Sequence, residues 1–207
     1  MRTLFSAQTT KVIALSAFVL IASGCTPKTQ MLTPGATDEP ITMGLSAKDF
    51  EQASVDAVQS LLSSGAVDRN DGKKNIMVIS SIINDTMQRI DTDQLVKKIR
   101  IELLRSGKVM TTTAIGLNGA EDQMNSVYSE LRESRKVDRN SLVKQSFTAP
   151  NMSLSGKIIQ RNNRVDDDRQ LVEYYFQLSL TDLKHGLAVW EGETPIRKIG
   201  SAKGTSW

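Results

Sequence analysis

Cysteine and histidine are all but missing from this chain, which has one of each, Cys25 and His185. A disulfide framework and a Cys/His zinc site are thereby excluded, and a Ser-His-Asp hydrolase would depend on a single histidine. Aromatic residues make up only 5%, so stacking platforms for nucleic acid are scarce. Neither charge sign dominates, with 26 basic residues against 23 acidic ones. No apolar run approaches the roughly 20 residues of a membrane-spanning helix. GxSxG, HExxH, P-loop and GxGxxG patterns are all absent. What remains is 207 residues, 39% hydrophobic and 24% charged, the composition of a chain that folds around a core.

Arg2 and Lys11 are the only charges before Cys25, and Val12 to Ala22 is apolar except for Ser16. A positive start, a short apolar stretch and a small-residue end make a secretory signal. The end, Ala22-Ser23-Gly24-Cys25, resembles the lipobox of bacterial lipoproteins, where the chain is cut before a cysteine whose thiol carries a diacylglycerol. That resemblance implies a signal peptide over residues 1–24 and lipidation at Cys25. Thr26 behind it, in place of Asp, implies the outer membrane. Loss of Arg2 and Lys11 leaves 24 basic residues against 23 acidic ones, so the pI of 9.0 belongs largely to the precursor.

Residues 25–44 hold Pro27, Pro34, Pro40 and several threonines and read as a flexible tether. Stretched out, it spans about 65–70 Å; as a coil, its r.m.s. reach is about 25 Å. Residues 45–207 are expected to form one globular domain.

Within that domain Ser46 and Asp49 make a capping-box-like helix start. Phe50, Ala53, Ala57, Val58, Leu61 and Leu62 share one face, and Gly65 ends the helix. Asn75 to Ile83 is short, apolar and β-branched, which predicts a central strand buried on both faces. Asp91 or Thr92 opens a second helix with Leu95, Ile99 and Leu103 inward, flanked by Val96 and Leu104. Gly107 stops it, and Val109 to Thr113 returns as a strand, completing a βαβ-like unit. Ala120 to Arg135 is expected as a third helix with Met124, Val127, Tyr128 and Leu131 inward. Asn151 to Gln160 is a strand. Val172, Tyr174, Phe176, Leu178 and Leu180 alternate along a longer one. Asp182 to Gly186 reads as a hairpin turn, with Leu187, Val189 and Glu191 returning after it. The class is α+β, a single mixed or antiparallel sheet covered by helices.

Candidate chemistry is sparse. Asp166, Asp167 and Asp168 lie among Arg161, Arg164 and Arg169 and read as a solvated loop, since a Ca²⁺ loop needs alternating ligands and a glycine turn. His185 sits in the expected turn with only Asp182 nearby. Lys97, Lys98 and Arg100 are placed on the outside of the second helix, and Arg132, Arg135, Lys136 and Arg139 at the end of the third. Acidic residues interleave with the latter group, and neither has aromatic neighbours, so nucleic-acid binding is not expected. Of Tyr174, Tyr175 and Phe176, strand alternation sends Tyr174 and Phe176 to the core. Val189 and Trp190 read as core packing. No catalytic residue, metal ligand or cofactor site emerges, and no residue is singled out as a partner contact.

The C-terminal half carries a family likeness. Residues 151–158 (NMSLSGKI), then 175–183 (YFQLSLTDL), then the turn at Gly186 and residues 187–192 (LAVWEG) make a succession of strand, Asp, turn glycine and Val-Trp-x-Gly. Upstream, residues 93–96 (DQLV) and 103–108 (LLRSGK) make a helix ending in a Gly-Lys step into a strand. Over residues 45–200 and the lipobox, the chain resembles the LpoB family of lipoproteins. That resemblance implies a fold similar to the N-terminal domain of TolB. It implies an outer-membrane lipoprotein, its domain facing the periplasm, that binds and activates a bifunctional penicillin-binding protein in peptidoglycan synthesis without catalysing a reaction. The alternative is a structural or secretion-apparatus lipoprotein, which would need long outward-apolar hairpins, and only Leu171 to Leu180 approaches that length.

Replacing Cys25 by Ser is expected to release the protein from the membrane pellet and to abolish incorporation of labelled lipid. Cell fractionation with a lipid label checks this, and a Ser variant that still pellets with label refutes it.

Overall fold

A computed structural model describes Met31, Thr33 and residues 40–115, 121–144 and 146–204. Cys25, the signal over 1–24 and Ala120 lie outside the described residues. The compact unit that contains the domain begins at Pro40.

Helix α1 (Ala47–Ser63) starts where its first free N–H groups find an acceptor. Asp49 N–H donates to Ser46 Oγ at 3.3 Å, while Ser46 N–H and Oγ–H both donate to Asp49 Oδ2 at 2.7 and 2.8 Å. Phe50, Ala53, Ser54, Ala57, Val58 and Leu61 are buried. The hydroxyl of Ser54 stays satisfied by donating to Phe50 O at 2.6 Å. Beyond the helix Gly65 takes a φ of 76°, which a side chain would resist.

Strand β1 (Asn75–Asp85) follows, then helix α2 (Thr92–Arg105), capped by Asp91, then the three-residue β2 (Val109–Thr111). Strands β1 and β2 run parallel, as a βαβ unit requires. Leu95, Ile99 and Leu103 of α2 have no exposed surface. Helix α3 (Met124–Glu133) and a 3₁₀ turn (Arg139–Ser141) precede a meander of long strands, β3 (Met152–Arg164), β4 (Arg169–Asp182) and β5 (Leu187–Ser201). The sheet order is β2-β1-β3-β4-β5, with β3 parallel to β1 and the meander antiparallel, so the fold is α+β with one mixed sheet. Helices α1 and α2 pack on each other and on one face of the sheet, through β5, β1 and β2. Among the described residues no helix is long and apolar enough to cross a membrane.

A polar clasp joins the N-terminal ends of β1 and β3. Asn75, nearly fully buried, donates to Val67 O at 2.9 Å and accepts from Asn151 Nδ2 at 2.7 Å. Asn151 in turn accepts from the N–H of Ile76 at 2.8 Å. These bonds satisfy buried amides that would otherwise be costly and align β3 beside β1.

Four expectations change. Strand β1 is not buried on both faces: Met77, Ile79 and Ile82 point inward, whereas Ile83 is 58% exposed. A register shift between Ile79 and Ile82 re-aims the strand. Helix α3 is shorter than expected, and none of Met124, Val127, Tyr128 and Leu131 is buried. Leu104, Leu187 and Val189 are exposed too. Finally, β4 has equal partners in length, but Lys157, Arg161, Glu173 and Glu191 stand on the outward face, unlike the apolar band of a membrane hairpin.

One buried charge links these elements. Lys198, 9% exposed, donates from Nζ to Asp49 Oδ2 at 2.5 Å and to Gly44 O at 2.6 Å. Tyr174 donates to Met43 O at 3.1 Å, and Leu45 exchanges two bonds with the Gln88 side chain. The stretch Met43–Leu45 is thus strapped to the domain. Lys198→Met is expected to destabilise the fold by about 3 kcal/mol, because Asp49 loses its partner. Adding Asp49→Asn should recover part of that loss. Urea melts of the two variants check the order, and a double variant no more stable than Lys198→Met contradicts it.

Candidate docking surface

Strand alternation divides the meander into two faces. The inner one carries Leu154, Ile158, Val172, Tyr174, Phe176, Leu178 and Leu180, all buried. Tyr174 is 1% exposed, and burial, with the charge of Asp49, holds its phenol above the ordinary tyrosine range. The outer face of β3, β4 and β5 has no buried residue.

Register builds that outer face in rows. Ile159, Tyr175 and Pro195 are opposite one another across three strands. Arg161, Glu173 and Arg197 form the next row. The guanidinium of Arg161 sits 5.5 Å from the centroid of the Tyr175 ring. Glu173 accepts from Arg197 Nε at 3.0 Å and from Asn163 Nδ2 at 3.1 Å. On the other side of the apolar row, Gln177 donates to Glu193 at 2.8 Å and Lys157 pairs with Asp85 at 2.6 Å. The polar groups around Tyr175 are therefore held by one another, on paired strands.

The alternation that buries Tyr174 and Phe176 turns Tyr175 outward, and that much was legible. Its neighbours Arg161 and Glu173 were not, because only strand pairing brings them beside it. Trp190 faces inward, partly buried against the core and opposite Leu180, while Val189 faces out.

The other candidates are scattered. His185 lies in the exposed β4–β5 turn with Nδ1 at 2.5 Å from Asp182. That contact and the Lys184 N–H hold the Asp182 carboxyl below the usual range. Asp166 and Asp167 pair with Arg169 and Arg164 in the β3–β4 loop, and the Arg169 hydrogen bond lowers the Asp166 carboxyl. Lys98 pairs with Glu51 at 3.1 Å. Among the described residues no group of three or more His, Cys, Asp or Glu side chains is placed to hold a metal ion.

The fold is an α+β domain whose single mixed sheet is packed on one face and presented on the other. The family model described as peptidoglycan-synthase activator LpoB matches residues 49–196, and the chain belongs to the LpoB family. The LpoB C-terminal domain from Salmonella enterica is 14% identical, with 72% of this chain and 99% of that one covered and a TM-score of 0.42. The LpoB C-terminal domain from Escherichia coli is 13% identical, with the same shares covered, 72% and 99%, and a TM-score of 0.43. The NMR structure of E. coli LpoB is 14% identical, with 85% and 82% covered and a TM-score of 0.40. No curated protein matches the sequence.

Gly192 shows how tightly the inner face is fitted. A Cβ there would come within 2.4 Å of the Trp190 ring. Gly192→Ala is expected to displace the indole and to destabilise the domain by about 1–3 kcal/mol. Tryptophan fluorescence and a thermal melt read both effects, and an unchanged melt contradicts the fit.

Proposed function

We propose that the protein is a non-catalytic activator of a peptidoglycan synthase, a bifunctional penicillin-binding protein, which it docks through the outer face of β3, β4 and β5. Membership of a family described as synthase activators supports the activity. The observation that carries the docking face is the Arg161–Tyr175 pair, held between Ile159, Pro195 and the Glu173–Arg197 ion pair. Arginine and an anchored aromatic ring, with a polar surround, are the composition of an interface hot spot.

Activation then needs no reacting group on this chain. A binder that prefers the active conformer of an enzyme shifts its population by the difference in affinity, tenfold for each 1.4 kcal/mol or so. Residues 1–24 are a signal, Cys25 carries lipid, and the domain sits at the periplasmic side of the outer membrane. The tether runs from Cys25 to the strap at Met43 to Leu45, with an extended reach of about 60 Å. The synthase must present its receiving surface within that distance. The protein binds no cofactor and no nucleic acid in this role.

Tyr175→Ala is expected to weaken binding to the purified synthase by about 2 kcal/mol, or roughly thirtyfold, and Arg161→Glu by a similar amount. Both should leave stability within about 0.5 kcal/mol of the parent. Titration against the synthase, with the glycan-polymerisation rate as readout, tests this. Full stimulation by both variants refutes the docking face, and no stimulation by the parent protein refutes the function.

A further inference from the structure

Of the α-helices among the described residues, α3 alone buries no side chain. Its apolar residues nevertheless form one stripe, with Met124, Val127, Tyr128 and Leu131 at i, i+3, i+4 and i+7. At about 3.6 residues per turn, Glu133 falls on the opposite side and Arg132 on the flank of that stripe.

The segment after the helix folds back on it, the N–H of Val143 donating to Tyr128 Oη at 2.6 Å. Between them lies an open pocket lined by Arg132, Glu133, Arg139, Leu142, Val143 and Lys144. Arg139 and Lys144 are exposed, with no ion-pair partner among the described residues. Val143 is 73% exposed, and Phe147, further along the segment, 53%.

We infer that α3 and the 139–144 segment form a membrane-interface surface that lies on an anionic phospholipid bilayer, the apolar stripe at the acyl boundary and Arg139 and Lys144 on headgroup phosphates. A short helix with an apolar stripe, and two exposed cations on the segment folded against it, matches a bilayer interface, where both halves of the surface gain. The choice of a bilayer over a protein rests on the proposed anchor at Cys25. A tether running from Cys25 to the strap at Met43 keeps the domain within about 25 Å r.m.s. of its membrane. At that effective concentration even a weak surface is occupied. Seated so, the domain would have a preferred orientation on the membrane.

The test uses the chain from Cys25 onward with Cys25→Ser, so that no acyl chain contributes. It is co-sedimented with vesicles of phosphatidylglycerol and phosphatidylethanolamine, and with vesicles of phosphatidylcholine alone, at low and high salt. Binding to the anionic vesicles, weakened by salt, is expected. Arg139→Gln with Lys144→Gln should lower that binding about thirtyfold at low salt. Met124→Glu with Val127→Asp should abolish it. All four side chains are exposed, so the melts of both variants should match the parent. No binding to anionic vesicles, or equal binding by the variants, overturns the inference. So does a Met124→Glu/Val127→Asp protein that binds vesicles normally but no longer stimulates a synthase, which would make α3 a protein contact. The vesicles contain no synthase, so failure here leaves docking through β3–β5 standing, and failure of that docking leaves the vesicle result standing.

Discussion

The carboxylate of Asp49 serves three donors at once, and the architecture converges on it. It closes the N-terminus of α1, receives the ammonium of Lys198 on β5, and stands beside the backbone of the strap at Gly44. Removing two charges from water costs several kcal/mol apiece, and only close geometry with further hydrogen bonds repays that. The pair therefore demands its surroundings: α1 must start at Ser46, and β5 must present position 198 inward. A slip of β5 by one residue would carry Lys198 to the outer face and leave Asp49 without its partner. The same slip would bring Arg197 to the inner face and away from Glu173. One ion pair on each face thus specifies the same register.

Lys198 was illegible from sequence for a plain reason. A lysine in a strand reads as solvent-facing, and the acid that keeps it inside lies 149 positions upstream. Other elements were legible because their signals are local. Ser46 and Asp49 state the helix start within four residues, and the five alternating side chains from Val172 to Leu180 state their own faces. The end of β3 was missed because pairing outlasts burial. Residues Arg161 to Arg164 continue the ladder after the core beneath them has run out, so no hydrophobic period marks them. The stripe on α3 was read correctly as amphipathic and wrongly as inward. Periodicity reports that a face is apolar; what covers it is decided by which elements have already taken the sheet. Here α1 and α2 have.

The proposed docking face was the least legible part. Its side chains are polar or singly apolar, and such residues on a strand carry no sequence signal beyond parity. Arg161 and Tyr175 are 14 positions apart on different strands and meet only because a long hairpin sets them diagonally in adjacent rows. Parity does yield the division that matters for function. Tyr174 holds the strap through Met43, and Tyr175, one residue on, faces out.

With docking through the outer face as proposed, that division keeps stability and recognition on separate side chains. The inner face supplies the burial that sustains the fold, so outer residues are free to be chosen for a partner. The outer face also inherits stiffness from the ladder beneath it. The proposed docking on paired strands would order little that was mobile, and less of the contact energy would be lost to entropy. An activator depends on this more than an ordinary binder, because it acts only through the difference between its affinities for two conformers. A loose surface could mould itself to both and shift neither. The Glu173–Arg197 and Gln177–Glu193 contacts hold the Tyr175 row to a single shape, and a single shape is what discriminates between two states of a partner.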